Sequence, residues 1–438
     1  MFNNSSDDNL PKICIIGAGP SGITAAKNLI EQGLTKFTVF EKNSNLGGNW
    51  IFDEKNNHSS IYETTHIISS KRMSEYEDFP MPDDYPDYPS HKQLLKYFYD
   101  YVDHFDIKKF IKFNTTVLNV NPTEDKKWHV VFSNIDGNHE EIFDYIFVAN
   151  GHHWDPITPD IPGNFNGDIL HSHLYKKADP FKNQRVLVVG CGNSACDVAV
   201  EISRISKKTC ISIRRGQHIF PKFIFGKPTD IAFAKIYWMP LWLKQFLITV
   251  VIRIIQGRYK KYQLKKPKGK ALEVHPTINS ELLYFIRHGK ISPRQGISKF
   301  EGNTVHFTNQ VQEDFDTIIF ATGYKISFPF FSKDLIDYSE LTNLPLYRKM
   351  IHPKFDNLFF IGLFQPQGCI WPLADYQAKY AASIIKGTLK IPDNLVQKIE
   401  NEIKQLRKQF KENTRHALEV DYKTFRQQLL KELKNSEC

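Results

Sequence analysis

The chain has 438 residues, 41% of them apolar and 24% charged, with 57 Lys and Arg against 48 Asp and Glu. That length suits two or three domains with sizeable cores, and the composition excludes collagen-like, coiled-coil, low-complexity and disordered classes. The formal charge of +9 leaves nucleic-acid or acidic-membrane partners open until its location is known.

The first eight residues, Met-Phe-Asn-Asn-Ser-Ser-Asp-Asp, are polar and acidic and lack the apolar core of a signal peptide. A transmembrane helix needs about 18 uncharged apolar residues in a row. The nearest run, Ile231 to Ile255, is broken by Lys235, Pro240, Lys244 and Arg253. Six cysteines scattered at 14, 191, 196, 210, 369 and 438 do not form a secreted disulfide framework. These features predict a cytoplasmic protein, with membrane association left open.

Lys12–Gly22 is apolar, then glycine-rich; Ile23–Gln32 has helical spacing, and Lys36–Phe40 is a second short β-run. Together they predict a βαβ unit. Ser60–Pro89, rich in Asp, Pro and Tyr, predicts an irregular loop, and Lys92–Phe105 a helix. Trp128–Phe132 and Ile142–Ala149 predict strands. Arg185–Gly190 opens a second strand, glycine turn and helix, with its next strand at Cys210–Arg214. Thr304–Phe307 and Thr317–Phe320 predict further strands, and Val396–Leu433 one charged, solvated helical tail with an apolar face. The pattern predicts an α/β fold with two nested dinucleotide-binding, Rossmann-like domains.

The first glycine motif is Gly17-Ala18-Gly19-Pro20-Ser21-Gly22, a full G-x-G-x-x-G between strand and helix. Its first glycine permits the tight turn, the second the approach of a pyrophosphate, the third close helix packing. The helix N-terminus offers unpaired N–H groups and the positive end of its dipole to the phosphates. Glu41 ends the second strand, 19 residues after Gly22, where a carboxylate can accept hydrogen bonds from ribose hydroxyls. The pair Gly47-Gly48, with Asn49 and Trp50, reads either as a second close backbone approach capped by a flat ring or as a turn with a core aromatic.

The second motif, Gly190-Cys191-Gly192-Asn193-Ser194-Ala195, is G-x-G-x-x-A. Its second strand ends at Arg214-Arg215, where an NAD site would carry an acid. Arginine matches a 2′-phosphate in charge and bidentate geometry, which favours NADPH over a solvated surface pair. Two sites with unlike ribose chemistry predict FAD in the first and NADPH in the second. Cys191 and Cys196 have the C-x-x-x-x-C spacing of some flavin disulfide reductases, but lie inside the phosphate turn instead of against a flavin ring; small core residues are the better reading.

Between the two units, Phe165-Asn-Gly167-Asp-Ile-Leu-His171-Ser-His-Leu-Tyr175 has the form F-x-G-x-x-x-H-x-x-x-Y. It resembles the fingerprint of the flavin-containing monooxygenases, whose Baeyer–Villiger relatives end the motif in Trp. The resemblance extends through Gly47–Trp50, Asp78-Phe-Pro80, Gly192-Asn193-Ser194, Ala149-Asn150-Gly151, Ala321-Thr322-Gly323-Tyr324 and Ile361-Gly362-Leu363, and covers about Lys12 to Gly387. It implies a glutathione-reductase-like flavoprotein architecture in which residues 1–168 are the first part of an FAD-binding domain, residues 169–320 an NADPH-binding domain with an apolar and basic insertion near 220–291, and residues 321–438 the second part of the FAD domain with a charged helix. It also implies that NADPH reduces FAD, that O2 adds to give a C4a-hydroperoxyflavin, and that a soft amine or sulfide takes the oxygen from it. The FAD contacts implied are Gly17, Ala18, Gly19, Pro20, Ser21, Gly22, Glu41, Lys42, Gly48, Asn49, Trp50, Ser69 and Gln377. Those for NADP are Gly190, Gly192, Asn193, Ser194, Ala195, Arg214 and Arg215.

Asn193 resembles the family's asparagine near the flavin–nicotinamide contact, the one catalytic candidate; it reads equally as a helix-capping residue. The position of His171 between the domains assigns it a structural or hinge role. One departure stands out. After Ser60-Ile61-Tyr62, the position where many members carry Asn is Ile68, followed by Ser69-Ser70-Lys71. Isoleucine has no hydrogen bond to give, so an NADPH oxidase releasing H2O2 is an alternative, and Baeyer–Villiger oxygenation another. The partners implied are a small-molecule substrate and O2, with no metal.

Arg253 to Lys270 holds eight cations and no acid, next to apolar residues with Trp238 and Trp242. Subtracting those eight from +9 leaves +1 for everything else. Apolar-aromatic next to polybasic sequence suits an interfacial membrane contact through 231–270; a packed helix pair and a solvated face are the alternatives. No nucleic-acid motif accompanies the charge. A homodimer is left open.

Overall fold

The computed structural model describes residues 9–55, 58–273, 276–410 and 417–434. The acidic N-terminus, residues 1–8, lies outside the described residues. The chain divides into two compact units. One runs through Ile51, resumes over Lys71–His152 and takes everything from Ile326; the other takes Phe52–Ser70 and His153–Lys325. Residues 52–70, expected within the first stretch of the FAD domain, thus belong to the second unit.

Each unit is built on a five-stranded parallel sheet. In the first, the order is Leu358–Phe360, Tyr145–Val148, Ile13–Ile16, Phe37–Phe40, Ile111–Lys112. In the second it is Ile291–Arg294, Lys208–Ser212, Arg185–Val189, Thr317–Phe320, Asp168–His171. Ile-Cys-Ile-Ile and Thr-Ile-Ile-Phe are buried at every position, because a parallel sheet covered on both faces needs continuous apolar strands. Each unit adds a three-stranded antiparallel meander: Thr116–Pro122, Trp128–Asn134 and Gly137–Phe143 in one, Ile297–Glu301, Thr304–Phe307 and Gln312–Asp314 in the other.

The expected strand Ile142–Ala149 is two strands, split at Asp144. The carboxylate of Asp144 accepts from Lys12 N at 2.7 Å and pairs with Lys127 at 3.0 Å. The helices start earlier than the apolar spacing alone predicts. Pro20–Glu31 begins on its proline after Gly19, which suits a residue with no N–H to lose. His91–His104 begins after Ser90, with a capping box between Ser90 and Gln93.

The predicted single tail is two helices, Leu395–Gln409 and Tyr422–Lys434. Arg348 grips both, through Glu402 Oε1 at 2.5 Å and Glu432 Oε1 at 2.7 Å. Tyr347 also donates to Glu432, at 2.7 Å. The tail is therefore docked by a half-buried arginine with two carboxylates, each charge compensated where an unpaired one would be costly. The helix Pro20–Glu31 is pinned to Trp371–Lys386 in the same way. Lys27 pairs with Asp78 and with Glu31 at 3.0 Å, and Asn28 Nδ2 donates to Asp375 at 2.7 Å. Asp78, in the Asp78-Phe-Pro80 stretch, is thus an anchor for the first glycine helix.

Candidate functional site

Two glycine turns define two candidate dinucleotide sites, one per unit. In the first, Gly17 has φ +104°, and a Cβ there would lie 2.7 Å from the carbonyl oxygen of Ala149. A Cβ on Gly22 would lie 1.9 Å from the carbonyl of Gly17. No other residue fits either position. The Gly47-Gly48 turn packs onto this one: Gly47 N donates to Ala18 O at 3.0 Å, and a Cβ on Gly48 would be 3.0 Å from Gly19 Cα. The paired glycines are therefore a second backbone approach, and Trp50 meets Trp371 edge-on at 5.7 Å between ring centres.

Glu41 is buried at the end of the second strand. Its Oε2 accepts from Ala18 N at 2.8 Å, and its Oε1 from Asn43 N and Nδ2 at 2.9 and 2.6 Å. Each carboxylate oxygen accepts two hydrogen bonds, so Oε2 keeps one acceptor position beside the glycine turn. Lys42, next to it, is exposed. Gln377 is fully buried and braces the turn: its Oε1 accepts from Gly362 N at 2.9 Å and its Nε2 donates to Arg348 O at 2.8 Å. Gly362 in turn abuts Ser21, whose Oγ would lie 2.1 Å from a Cβ at 362. Ser69 is buried in the other unit and is not brought together with these residues within the first.

The second turn repeats the first. Gly190 has φ +139°, and a Cβ there would lie 2.4 Å from the carbonyl oxygen of Ala321. The alanines of Ala149-Asn150-Gly151 and Ala321-Thr322-Gly323 thus roof the two turns in the same way. Ala195 replaces the third glycine and is fully buried, its methyl 3.3 Å from where a Gly190 Cβ would be. Asn193 is the first residue of the helix Asn193–Ile202, and Gly192, not a side chain, caps it. Asn193 Oδ1 accepts from Ile278 N at 2.7 Å, and Thr277 Oγ1 donates to Cys191 O at 2.5 Å. Asn193 therefore ties the strand Thr277–Ile278 to the turn. Ser194 is half-buried on the same first turn of helix. Cys191 and Cys196 are both free thiols. Arg214 and Arg215 follow the strand Lys208–Ser212 and are exposed.

The sequence reading missed how residues 59–70 are held. Tyr62 Oη donates to Asp197 Oδ2 at 2.9 Å, and Thr64 Oγ1 to Glu201 Oε2 at 2.9 Å. Lys176 Nζ donates to the carbonyls of Ser59 and Ile61 at 2.6 and 3.4 Å. The signal was present: acids four apart on an otherwise apolar helix, Asp197 and Glu201, face one partner. Asn279 Nδ2 also donates to Asp197, at 2.6 Å, and burial pushes the Asp197 carboxyl up from the usual range. Lys176, one residue past the fingerprint, and two acids of the second glycine helix therefore grip a segment that carries Ile68.

His171 closes the strand Asp168–His171, paired in register with Phe320. Its Nδ1 accepts from His173 N at 3.1 Å, so the ring is neutral with its proton on Nε2. Burial, with the nearby His173, lowers it to about 4. Burial also lowers His152 and His352 to about 4.

The family model described as flavin-binding monooxygenase-like matches residues 10–436. Flavin-containing monooxygenase 5 of Rattus norvegicus is 33% identical over 437 residues, 94% of this chain and 80% of its own length. The N-oxide-forming dimethylaniline monooxygenase 2 of Oryctolagus cuniculus is 31% identical over 452 residues, 96% and 82%. The structure of S-allyl-L-cysteine S-oxygenase from Allium sativum matches with TM-score 0.73 at 22% identity, over 97% of this chain and 89% of that one. NADP+-bound cyclohexanone monooxygenase from Rhodococcus sp. Phi1 matches with TM-score 0.72 at 16% identity, over 98% of each. At these identities the two structures speak for the fold alone. The chain belongs to the flavin-binding monooxygenase family. It is an NADPH-dependent monooxygenase, and its cofactors are FAD and NADPH.

The histidines give a pH test. Their folded values lie below the ordinary 6.5, so the unfolded chain binds protons that the native one refuses between about 6.5 and about 4. Stability is retained above that window and falls as pH drops through it. The thermal midpoint should decline across the window, and less steeply in His171→Gln; an unchanged slope in the variant would contradict the assignment.

Proposed function

We propose that this protein oxygenates a soft nucleophile, an amine nitrogen or a sulfide sulfur, of a small molecule. FAD bound at the Gly17–Gly22 turn supplies the two-electron and oxygen chemistry. The remaining work falls to the chain. The first turn and Glu41 hold the flavin nucleotide by its pyrophosphate and ribose. The second turn and Arg214-Arg215 hold NADPH by its pyrophosphate and 2′-phosphate. Such a reaction asks little acid–base work of side chains and much exclusion of water. This fits the backbone partners of the side chains in each unit: Ile278 N on Asn193 Oδ1 and His173 N on His171 Nδ1 in one, and Gly362 N on Gln377 Oε1 in the other.

The observation that carries the reading is the pair of like glycine turns with unlike strand ends, a carboxylate in one and two arginines in the other. The N-oxide-forming relative supports the amine part of this substrate class. A second reading, NADPH oxidase, is favoured by Ile68, a half-buried aliphatic side chain in the clamped segment. Baeyer–Villiger oxygenation is disfavoured by Tyr175, which is buried and packs edge-on against Tyr62 at 5.6 Å.

With NADPH, O2 and N,N-dimethylaniline or a thioether, one N- or S-oxide should form for most NADPH consumed. Ile68→Asn should raise the product-to-NADPH ratio further. If every equivalent of NADPH appears as H2O2 with all such substrates, the oxidase reading replaces this one; turnover confined to cyclic ketones would replace it with the third.

The segment 231–270 supports contact with an anionic lipid surface. No described helix is long and apolar enough to cross a membrane. The helix Leu241–Gln256 buries Ile248 and Ile252 against Phe220, Ile224 and Ala271. Its other face shows Trp242, Phe246 and Val250 at four-residue spacing, with Ile254 beyond them. Phe225 and Trp238 are 82% and 75% exposed. Arg253, Arg258, Lys260 and Lys261 follow, all exposed. An aromatic, aliphatic face bordered by cations is suited to the headgroup region. The protein should co-sediment with phosphatidylserine vesicles and not with neutral phosphatidylcholine, and Trp242→Glu with Phe246→Glu should abolish this. Failure of the parent protein to bind, with a dimer that the same changes dissolve, would give the face to a second copy. The free cysteines among the described residues are in keeping with a reducing, cytoplasmic setting.

A further inference from the structure

The basic run 253–270 does not all lie on the helix just described. Gly216, one residue past Arg215, meets the backbone of that run: a Cβ there would lie 2.4 Å from the carbonyl oxygen of Lys266 and 2.5 Å from that of Lys265. No other residue type leaves room for this approach. Two residues further on, His218 Nε2 donates to Gly269 O at 3.3 Å. The stretch 265–269 therefore runs beside 216–218, against the turn that carries Arg214 and Arg215.

The course of this stretch is fixed by its neighbours. Leu264 N donates to Tyr259 O at 3.2 Å, and Tyr259 Oη accepts from Ile219 N at 3.1 Å. Tyr259, Tyr262 and Leu264 pack on the core of the second unit, and Pro267 is buried. Lys265 and Lys266 are exposed, as are Arg214 and Arg215. Two exposed pairs of cations thus flank one backbone contact, just past the carboxyl end of the strand Lys208–Ser212, the edge at which doubly wound sheets bind ligands.

We propose that Lys265 and Lys266 complete, with Arg214 and Arg215, the site for the 2′-phosphate of NADPH. The inference rests on the reading of the second glycine turn as the NADPH site and extends it to residues about fifty positions away in sequence. A 2′-phosphate is a phosphomonoester carrying between one and two negative charges near neutral pH. The arginine forks bind two of its oxygens each, and ammonium groups on four-carbon stems add point charge from the other side. An unphosphorylated ribose gives these lysines nothing to bind, so they set specificity for NADPH over NADH and leave the shared pyrophosphate contacts alone.

Calorimetric titration of the holoenzyme with adenosine 2′,5′-bisphosphate and with 5′-AMP tests this without turnover. The parent protein should prefer the bisphosphate. Lys265→Ala with Lys266→Ala should weaken bisphosphate binding about tenfold, the scale of one charged hydrogen bond, and leave 5′-AMP unchanged. It should also flatten the salt dependence of bisphosphate binding, and Lys265→Arg with Lys266→Arg should restore both. If the alanine variant keeps the parent's affinity while Arg214→Ala with Arg215→Ala loses it, the arginines act alone and the inference falls. If the parent binds both ligands equally, or Arg214→Ala with Arg215→Ala keeps the parent's preference, the underlying NADPH reading falls with it.

Discussion

A pyrophosphate can reach the carboxyl edge of a parallel sheet only if the first strand turns into its helix with no side chain in the way. That single constraint is met twice in this chain. At Gly17 the roof is the carbonyl of Ala149; at Gly190 it is the carbonyl of Ala321. Each roof follows the strand paired with the leading one, Tyr145–Val148 in one unit and Thr317–Phe320 in the other. Other residues of each unit support these turns. Gln377 and Gly362 brace the first; Asn193 and Thr277 brace the second. Glu41 and Arg214-Arg215 make the two different.

The parts of this arrangement legible in the sequence were the local ones. A glycine turn is fixed by sterics within six residues, and a buried parallel strand by its continuous apolar run, so both sheets' leading strands could be read directly. The meanders were half-legible. Thr304–Phe307 alternates clearly, whereas Thr116–Pro122 mixes apolar residues with Asn and pairs through a register shift between Val117 and Asn119. The tail was misread because charge alternation looks the same whether a helix is solvated or docked. What decides the matter is Arg348, more than fifty residues upstream of Glu402.

Site residues divided along the same line. Backbone shape at the two glycine turns is legible within six residues of sequence. Residues whose role is set by a distant partner were placed differently from their first reading. Asn193 is neither cap nor free amide but a tie to Ile278, and Gln377 is a brace whose amide is taken up by Gly362 and Arg348. Gly216 drew no notice in the sequence, because a lone glycine after two arginines has no local signature; only the carbonyls of Lys265 and Lys266 explain it. The charge excess follows the same rule. Confined to one insertion, it is split by the fold between an apolar helix face and the arginine turn of the nucleotide-binding unit.

On the proposed reading, one chain holds two dinucleotides and tells them apart by the ends of their second strands. Anaerobic titration of the flavin-loaded protein measures this directly. One equivalent of NADPH should bleach the bound flavin, and NADH should do so far more slowly, with the difference lost in Arg214→Ala with Arg215→Ala. A protein that carries no flavin, or one that NADH and NADPH reduce equally well, would contradict it.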